Sequence, residues 1–141
     1  MRFHIHSIKS AIIVGVNIIA FHGTALVAQS KPWIAPPQFV NLANPSPATA
    51  DKVNGGKALY QTYCTPCHGT KGKGDGPAAA ALTPKPADHT SQALSKETDG
   101  SLFYKISEGR TPMPKYKEAL KDNQRWMLVD YIRTLSISQK K

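Results

Sequence analysis

The distribution of apolar positions divides the chain into three stretches. Residues 11–28 are almost continuously apolar, residues 31–50 are interrupted by five prolines, and from Asp51 onward apolar residues recur every three or four positions. That recurrence is the period of one helical face. In "DKVNGGKALYQTYC" it aligns Val53, Gly56, Leu59, Tyr60 and Tyr63, with Asp51 placed to cap the first turn. The glycine-rich "HGTKGKGDGP" predicts a turn, and a short alanine-rich helix over residues 77–82 follows it. Proline then breaks the loop "TPKPADHT". "TDGSLFYKISEG" predicts a compact helix between a Thr98 cap and a Gly109 stop. Prolines on both sides of the methionine in "RTPMPKY" exclude helix there. "DNQRWMLVDYIRTL" predicts the last helix, capped by Asp122, with Leu128, Tyr131, Ile132 and Leu135 on one face. No alternating strand of useful length and no repeat occurs. The expected fold is all-α, with three to four helices in one small domain.

The 141 residues suffice for one domain. The first thirty differ from the rest. Arg2 and Lys9 come without an acid, the apolar run 11–21 is broken only by Asn17, and small residues follow up to Ser30. Basic, apolar, then small is the order of an export signal, with cleavage after Ala25, Ala28 or Ser30. The alternative is an uncleaved anchor, for which Asn17 and His22 are poor residues. No cysteine stands near the cut, which excludes a lipid anchor on a new N-terminal cysteine. Residues 1–30 are therefore read as a signal, 31–50 as a proline-rich arm or linker, and 51–141 as the functional domain. Trp33, Ile34, Phe39, Val40 and Leu42 are too apolar for a solvated tether, so the arm is expected to pack on the domain surface.

Charge changes the picture modestly. The net charge is +9, and it falls to +7 once Arg2 and Lys9 are removed. Scattered lysines without a basic helix argue against nucleic acid, and an acidic partner protein fits better. Membrane contact is expected only if the N-terminus is retained.

The chemistry concentrates in "CTPCHGTKGKG", which holds both cysteines, Cys64 and Cys67, followed at once by His68. A redox dithiol would need a βαβ context that is absent. A disulfide would close a four-residue ring, staple nothing distant and leave His68 unexplained. Zinc has candidate ligands in Cys64, Cys67, His68 and His89, but neighbouring Cys67 and His68 are an awkward pair for one tetrahedron. Covalent haem uses every residue: two thiols reach two vinyl groups as thioethers, and the next imidazole meets the iron. Residues 51–138 make a thin core, and a buried prosthetic group would thicken it.

His68 leaves one axial position. Beyond residue 30 the candidates are Met113, Met127 and His89. Met127 sits beside Trp126 within a helix and reads as core packing, and His89 reads as a surface histidine in a polar loop. Met113 lies between Pro112 and Pro114, which stiffen the backbone and lower the entropy lost on ligation. Met113 is therefore assigned as the sixth ligand. Iron held by His68 and Met113 has no open site, which argues for electron transfer and against an oxidase, peroxidase or gas carrier.

From Gly56 to Leu135 the chain resembles a class I c-type cytochrome, a monohaem electron-transfer protein. The resemblance rests on "GKALYQTYCTPCHG", the methionine loop "GRTPMPKY" and the closing helix "RWMLVDYIRTL". It implies the small class I cytochrome c fold around one covalent haem c, with the first and last helices crossing steeply at Gly56 and Tyr60 against Tyr131. "GKGDGPAAAALTPKPAD" is similar to the loop that closes over the haem in bacterial monohaem members. It implies that a proline carbonyl accepts the His68 Nδ1 proton, with Pro77 as the candidate and Pro84 as the alternative. The expected function is a non-enzymatic, exported, periplasmic electron carrier between redox partners. Lys71, Lys73, Lys85, Lys115 and Lys117 would surround the haem and steer acidic docking surfaces. The alternative is a tethered haem subunit of a larger respiratory or dehydrogenase enzyme.

Overall fold

Two long helices cross at a glycine, and the rest of the molecule is arranged around that crossing. The computed structural model describes residues 31–46 and 48–137; the export signal and its anchor alternative, on residues 1–30, lie outside them. The described residues form six α-helices and one 3-10 turn, without a strand. They build the all-α architecture that the helical periodicity of the sequence leads one to expect.

Helix α1 spans Pro37–Val40, α2 Ala50–Tyr63, α3 Thr65–His68, α4 Gln92–Ser95, α5 Asp99–Glu108 and α6 Asp122–Ile137. Where α2 crosses α6, a Cβ on Gly56 would lie 1.9 Å from the Met127 carbonyl oxygen and 3.0 Å from Tyr131 Cβ. Only glycine lets the backbones approach this closely. One turn on, Tyr60 is fully buried and meets Tyr131 edge-on, with ring centroids 5.2 Å apart.

Helix α5 closes the core from a third side. Its Leu102, Phe103 and Ile106 pack with Leu120, Trp126, Leu128 and Val129, and Phe103 stacks on Trp126 at 4.3 Å. Thr98 caps it, with Oγ1 accepting from Ser101 N–H at 3.2 Å. Gly109 ends it at φ +60°.

Several local expectations need correction. Thr49, not Asp51, caps α2: its Oγ1 accepts from Lys52 N–H at 3.4 Å, which leaves Asp51 in the first turn facing the helix dipole. Asp122 is already helical. The Lys121 carbonyl accepts the first α6 bond from Arg125 N–H, and Lys121 N–H donates to Gln124 Oε1, the side-chain half of a capping box. The alanine-rich stretch shrinks to a 3-10 turn, Ala79–Ala81. The proline-rich arm contains α1, because Pro37 stands at the first helical position, where its missing N–H costs nothing.

The arm lies on the domain. Phe39 packs on Tyr104 with centroids 4.8 Å apart. Gly100 accommodates the arm backbone, since a Cβ there would sit 1.9 Å from the Phe39 carbonyl oxygen. Asn44 Nδ2 donates to Asp130 Oδ1 of α6 at 2.8 Å. No helix among the described residues is long and apolar enough to cross a membrane.

Candidate functional site

The end of α2 and the single turn of α3 put Cys64, Cys67 and His68 at one corner. Pro66 stands in the first turn of α3, His68 N–H donates to the Cys64 carbonyl at 2.8 Å, and Gly69 ends the turn at φ +75°. The glycine-rich loop then folds back over α3. Gly74 N–H donates to the His68 carbonyl at 2.9 Å and Gly76 N–H to the Cys67 carbonyl at 3.1 Å. A Cβ on Gly76 would fall 2.4 Å from the Pro66 carbonyl oxygen, so the loop closes only because that residue is glycine.

His68 is buried, and its Nδ1 lies 2.9 Å from the Ala87 carbonyl oxygen. That contact makes Nδ1 the donor and leaves Nε2 with a free lone pair for a metal. The acceptor is Ala87, not Pro77 and not Pro84. Pro77 sits exposed at the start of the alanine turn, and Pro84 lines the cleft described below. The segment around Ala87 is brought alongside by the glycine loop, where His89 N–H donates to the Gly72 carbonyl at 2.6 Å.

His89 is not the surface histidine expected from its polar neighbours. It is buried, stacks on His68 with ring centroids 4.1 Å apart, and pairs through Nδ1 with Tyr60 Oη at 3.1 Å. Burial, and then the neighbouring His68, push its pKa down to about 3, so the ring is neutral. Burial lowers the His68 pKa as well, and a neutral imidazole is the form that binds metal. Burial also keeps the Tyr60 hydroxyl protonated, aided by Cys64. Both cysteines are free thiols, and burial pushes Cys64 up to about 12, with Cys67 adding to the shift.

These groups border one shared cleft that opens to solvent. Cys64, Cys67 and His68 line it, and so do Met113 with Pro112 and Pro114. Leu82, Pro84, Pro86 and Tyr116 make the lining largely apolar, while Trp33 and Arg110 add a wall from the arm and the methionine loop. Met113 is half-buried, and a two-bond bridge holds it: Arg110 N–H to the Met113 carbonyl at 3.0 Å, and Met113 N–H to the Arg110 carbonyl at 2.8 Å. Met127 lies instead under the helix crossing, its methyl against Gly55.

Two free thiols, an imidazole with its Nε2 available and a thioether on one apolar cleft fit a covalently held haem. They do not fit zinc: among the described residues no three of His, Cys, Asp and Glu converge as a metal-binding group. Of the five lysines expected to surround the site, Lys71 and Lys73 are exposed, and Lys85 lines the cleft while donating to the Ala79 and Ala80 carbonyls. Lys115 pairs with Glu118 at 2.7 Å and Lys117 with Glu108 at 2.9 Å.

Sequence reasoning missed Ala87 and Arg110, weighed His89 but placed it at the surface, and expected Trp33 to pack on the domain without placing it at the cleft. A backbone carbonyl carries no side-chain signature, and nothing in "PADHT" marks its histidine as buried.

Comparison with known proteins adds two findings. The Cytochrome c family model matches residues 53–136. A chain in a solved reducing HAO-like protein complex from Kuenenia stuttgartiensis is similar in fold and sequence, with a TM-score of 0.58 and 28% identity over 77% of this chain. The present chain spans about half, 52%, of that chain's length. Among curated proteins nothing matches significantly.

Proposed function

Because the chain belongs to the cytochrome c family, which carries covalent haem c and transfers electrons, we propose that it is a monohaem carrier held by Cys64, Cys67, His68 and Met113. The observation that carries this reading is the convergence of those four side chains on one apolar cleft. Haem bound there supplies a one-electron iron couple. The protein's own residues do the rest. Cys64 and Cys67 provide the two thioether attachments. Ala87 fixes the His68 tautomer, so that Nε2 would be free to bind the haem iron. Pro112 and Pro114 stiffen the loop that presents the Met113 thioether, which would be the second protein ligand to haem iron and would hold its potential above that of a bis-imidazole site. Such a centre exchanges single electrons between partners outside the cytoplasm, with residues 1–30 as the export signal, and is not an enzyme.

The test is the absorption spectrum of the exported protein, ferric and ferrous, with and without carbon monoxide. The expected result is a low-spin c-type spectrum, a weak far-red sulfur-to-iron band in the ferric state, and no prompt response to carbon monoxide. In Met113→Ala the far-red band disappears and carbon monoxide binds. A high-spin parent spectrum, or a far-red band that survives Met113→Ala, overturns the ligand assignment.

A second reading draws support from the similar chain in a larger complex: the protein is a haem subunit of a larger redox enzyme. N-terminal sequencing of the mature protein and its native mass separate the two. A cleaved monomer supports the free carrier, whereas retention of residues 11–28 or a stable hetero-complex supports the subunit.

A further inference from the structure

Part of the cleft is built by residues that precede the segment matched to the family. Trp33 lines it together with Met113, although the match begins at residue 53. The Arg110 guanidinium lies 4.9 Å from the Trp33 ring centroid, and the Lys105 ammonium lies 5.7 Å from it. Arg110 Nη1 also donates to the Lys31 carbonyl at 2.9 Å. The same arginine closes the methionine loop through its backbone, by the two bonds it shares with Met113. Its side chain holds the arm and its main chain holds the methionine.

A brace needs a fixed end, and the arm has one. Helix α1 is seated on α5 through Phe39 and Tyr104, and the arm is pinned to α6 by Asn44 and Asp130. The far side of the loop is rooted on α5, where Tyr116 N–H donates to the Ile106 carbonyl at 3.1 Å and Lys117 N–H to the Ser107 carbonyl at 3.2 Å. Residues 110–114 lie between these anchors, with Arg110 on Trp33 as a tie on the arm side.

We propose that residues 31–44 brace the methionine loop through the cation–π contact of Arg110 with Trp33, and so keep the sixth axial position closed to external ligands. This rests on Met113 as the sixth ligand. A thioether is a neutral, weakly basic ligand, and it outcompetes a diffusing molecule only while its loop holds it at high effective concentration. A guanidinium held over an indole face is a cation–π contact, so it can serve as that restraint. Trp33 and Arg110 are thus positioning residues supplied from outside the haem motif.

The test uses the holoprotein with Trp33→Leu, Arg110→Gln, the double variant, and Trp33→Phe as a variant that keeps the ring. Amide exchange at Arg110 and Met113, carbon monoxide binding to the ferrous protein, the ferric far-red band and global unfolding by helix circular dichroism are followed together. In Trp33→Leu and Arg110→Gln, exchange at the two bridge amides and the carbon-monoxide-competent fraction are expected to rise about tenfold, equivalent to ~1.4 kcal/mol. The double variant adds little, because each residue acts through the other, and Trp33→Phe stays near the parent. Bridge amides that exchange as in the parent, or that change only in step with global unfolding, overturn the brace. Met113→Ala separates this from the ligand assignment: if it keeps the far-red band, the assignment fails, while the amide exchange still decides the brace.

Discussion

At the scale of single residues, the two adjacent glycines of α2 differ in what lies opposite. A Cβ at Gly56 meets the Met127 carbonyl oxygen at 1.9 Å, whereas one at Gly55 meets the terminal methyl of Met127 at 2.2 Å. Backbone cannot retreat without separating the helices, but a methionine methyl can rotate away. Gly56→Ala is therefore expected to destabilise the holoprotein by about 3 kcal/mol, at the upper end of overpacking costs. Gly55→Ala stays within about 0.5 kcal/mol of the parent, because alanine's helix propensity offsets the repacking. Denaturant unfolding of both variants checks the contrast, and equal losses would show that Met127 is as rigid as the backbone.

At the scale of elements, the arm meets α6 through a carboxyl group in an uncomfortable position. Asp130 is buried, Asn44 donates to its Oδ1, and Oδ2 has no hydrogen-bond partner. Burial raises its pKa above the usual carboxylate range, while Lys52 and the Asn44 bond pull the other way. A folded pKa above the unfolded one means that the folded state takes up its proton first as pH falls. Asp130 therefore weakens the fold at neutral pH, and the penalty fades as pH falls into the range where the folded carboxyl protonates. Asp130→Asn is expected to stabilise at pH 7 by just under about 1 kcal/mol, a fraction of the cost of a buried unsatisfied group. The gain shrinks by about pH 4, near the ordinary carboxylate range. Thermal unfolding at the two pH values measures this; a gain that grew on acidification would reverse the sign of the linkage.

At the scale of the whole molecule, the basic surface near the cleft is uneven. Lys115 and Lys117 have acidic partners in Glu118 and Glu108, whereas Lys71 and Lys73 are exposed beside the haem motif. Attraction of an acidic redox partner should then fall mainly to the glycine-loop side. Lys73→Glu is expected to slow electron exchange with such a partner about threefold at low ionic strength and to flatten its salt dependence, as screened steering requires. Lys115→Glu, beside its own Glu118, perturbs the rate less at the encounter step. Stopped-flow rates across a salt series decide, and equal responses would spread the steering over the whole face.

How much of this was legible beforehand follows from the range of each interaction. Periodicity marked α2, α5 and α6, because apolar residues three and four apart must share a helical face wherever that face is buried. The Cys64, Cys67 and His68 spacing implied haem, since adjacency that suits a porphyrin edge suits little else. Those are local constraints, and the sequence by itself determined them. Contacts between segments far apart in the chain were decided only by tertiary structure. The Ala87 carbonyl reaches His68 across 19 positions and His89 pairs with Tyr60 across 29, neither with any local pattern to announce it. Arg110 reaches Lys31 across 79 positions because the crossing of α2 and α6 and the seat of α1 on α5 bring the arm to the methionine loop. Sequence specifies which side chains can ligate and attach; packing specifies which carbonyl orients the imidazole and which tryptophan stands over the loop.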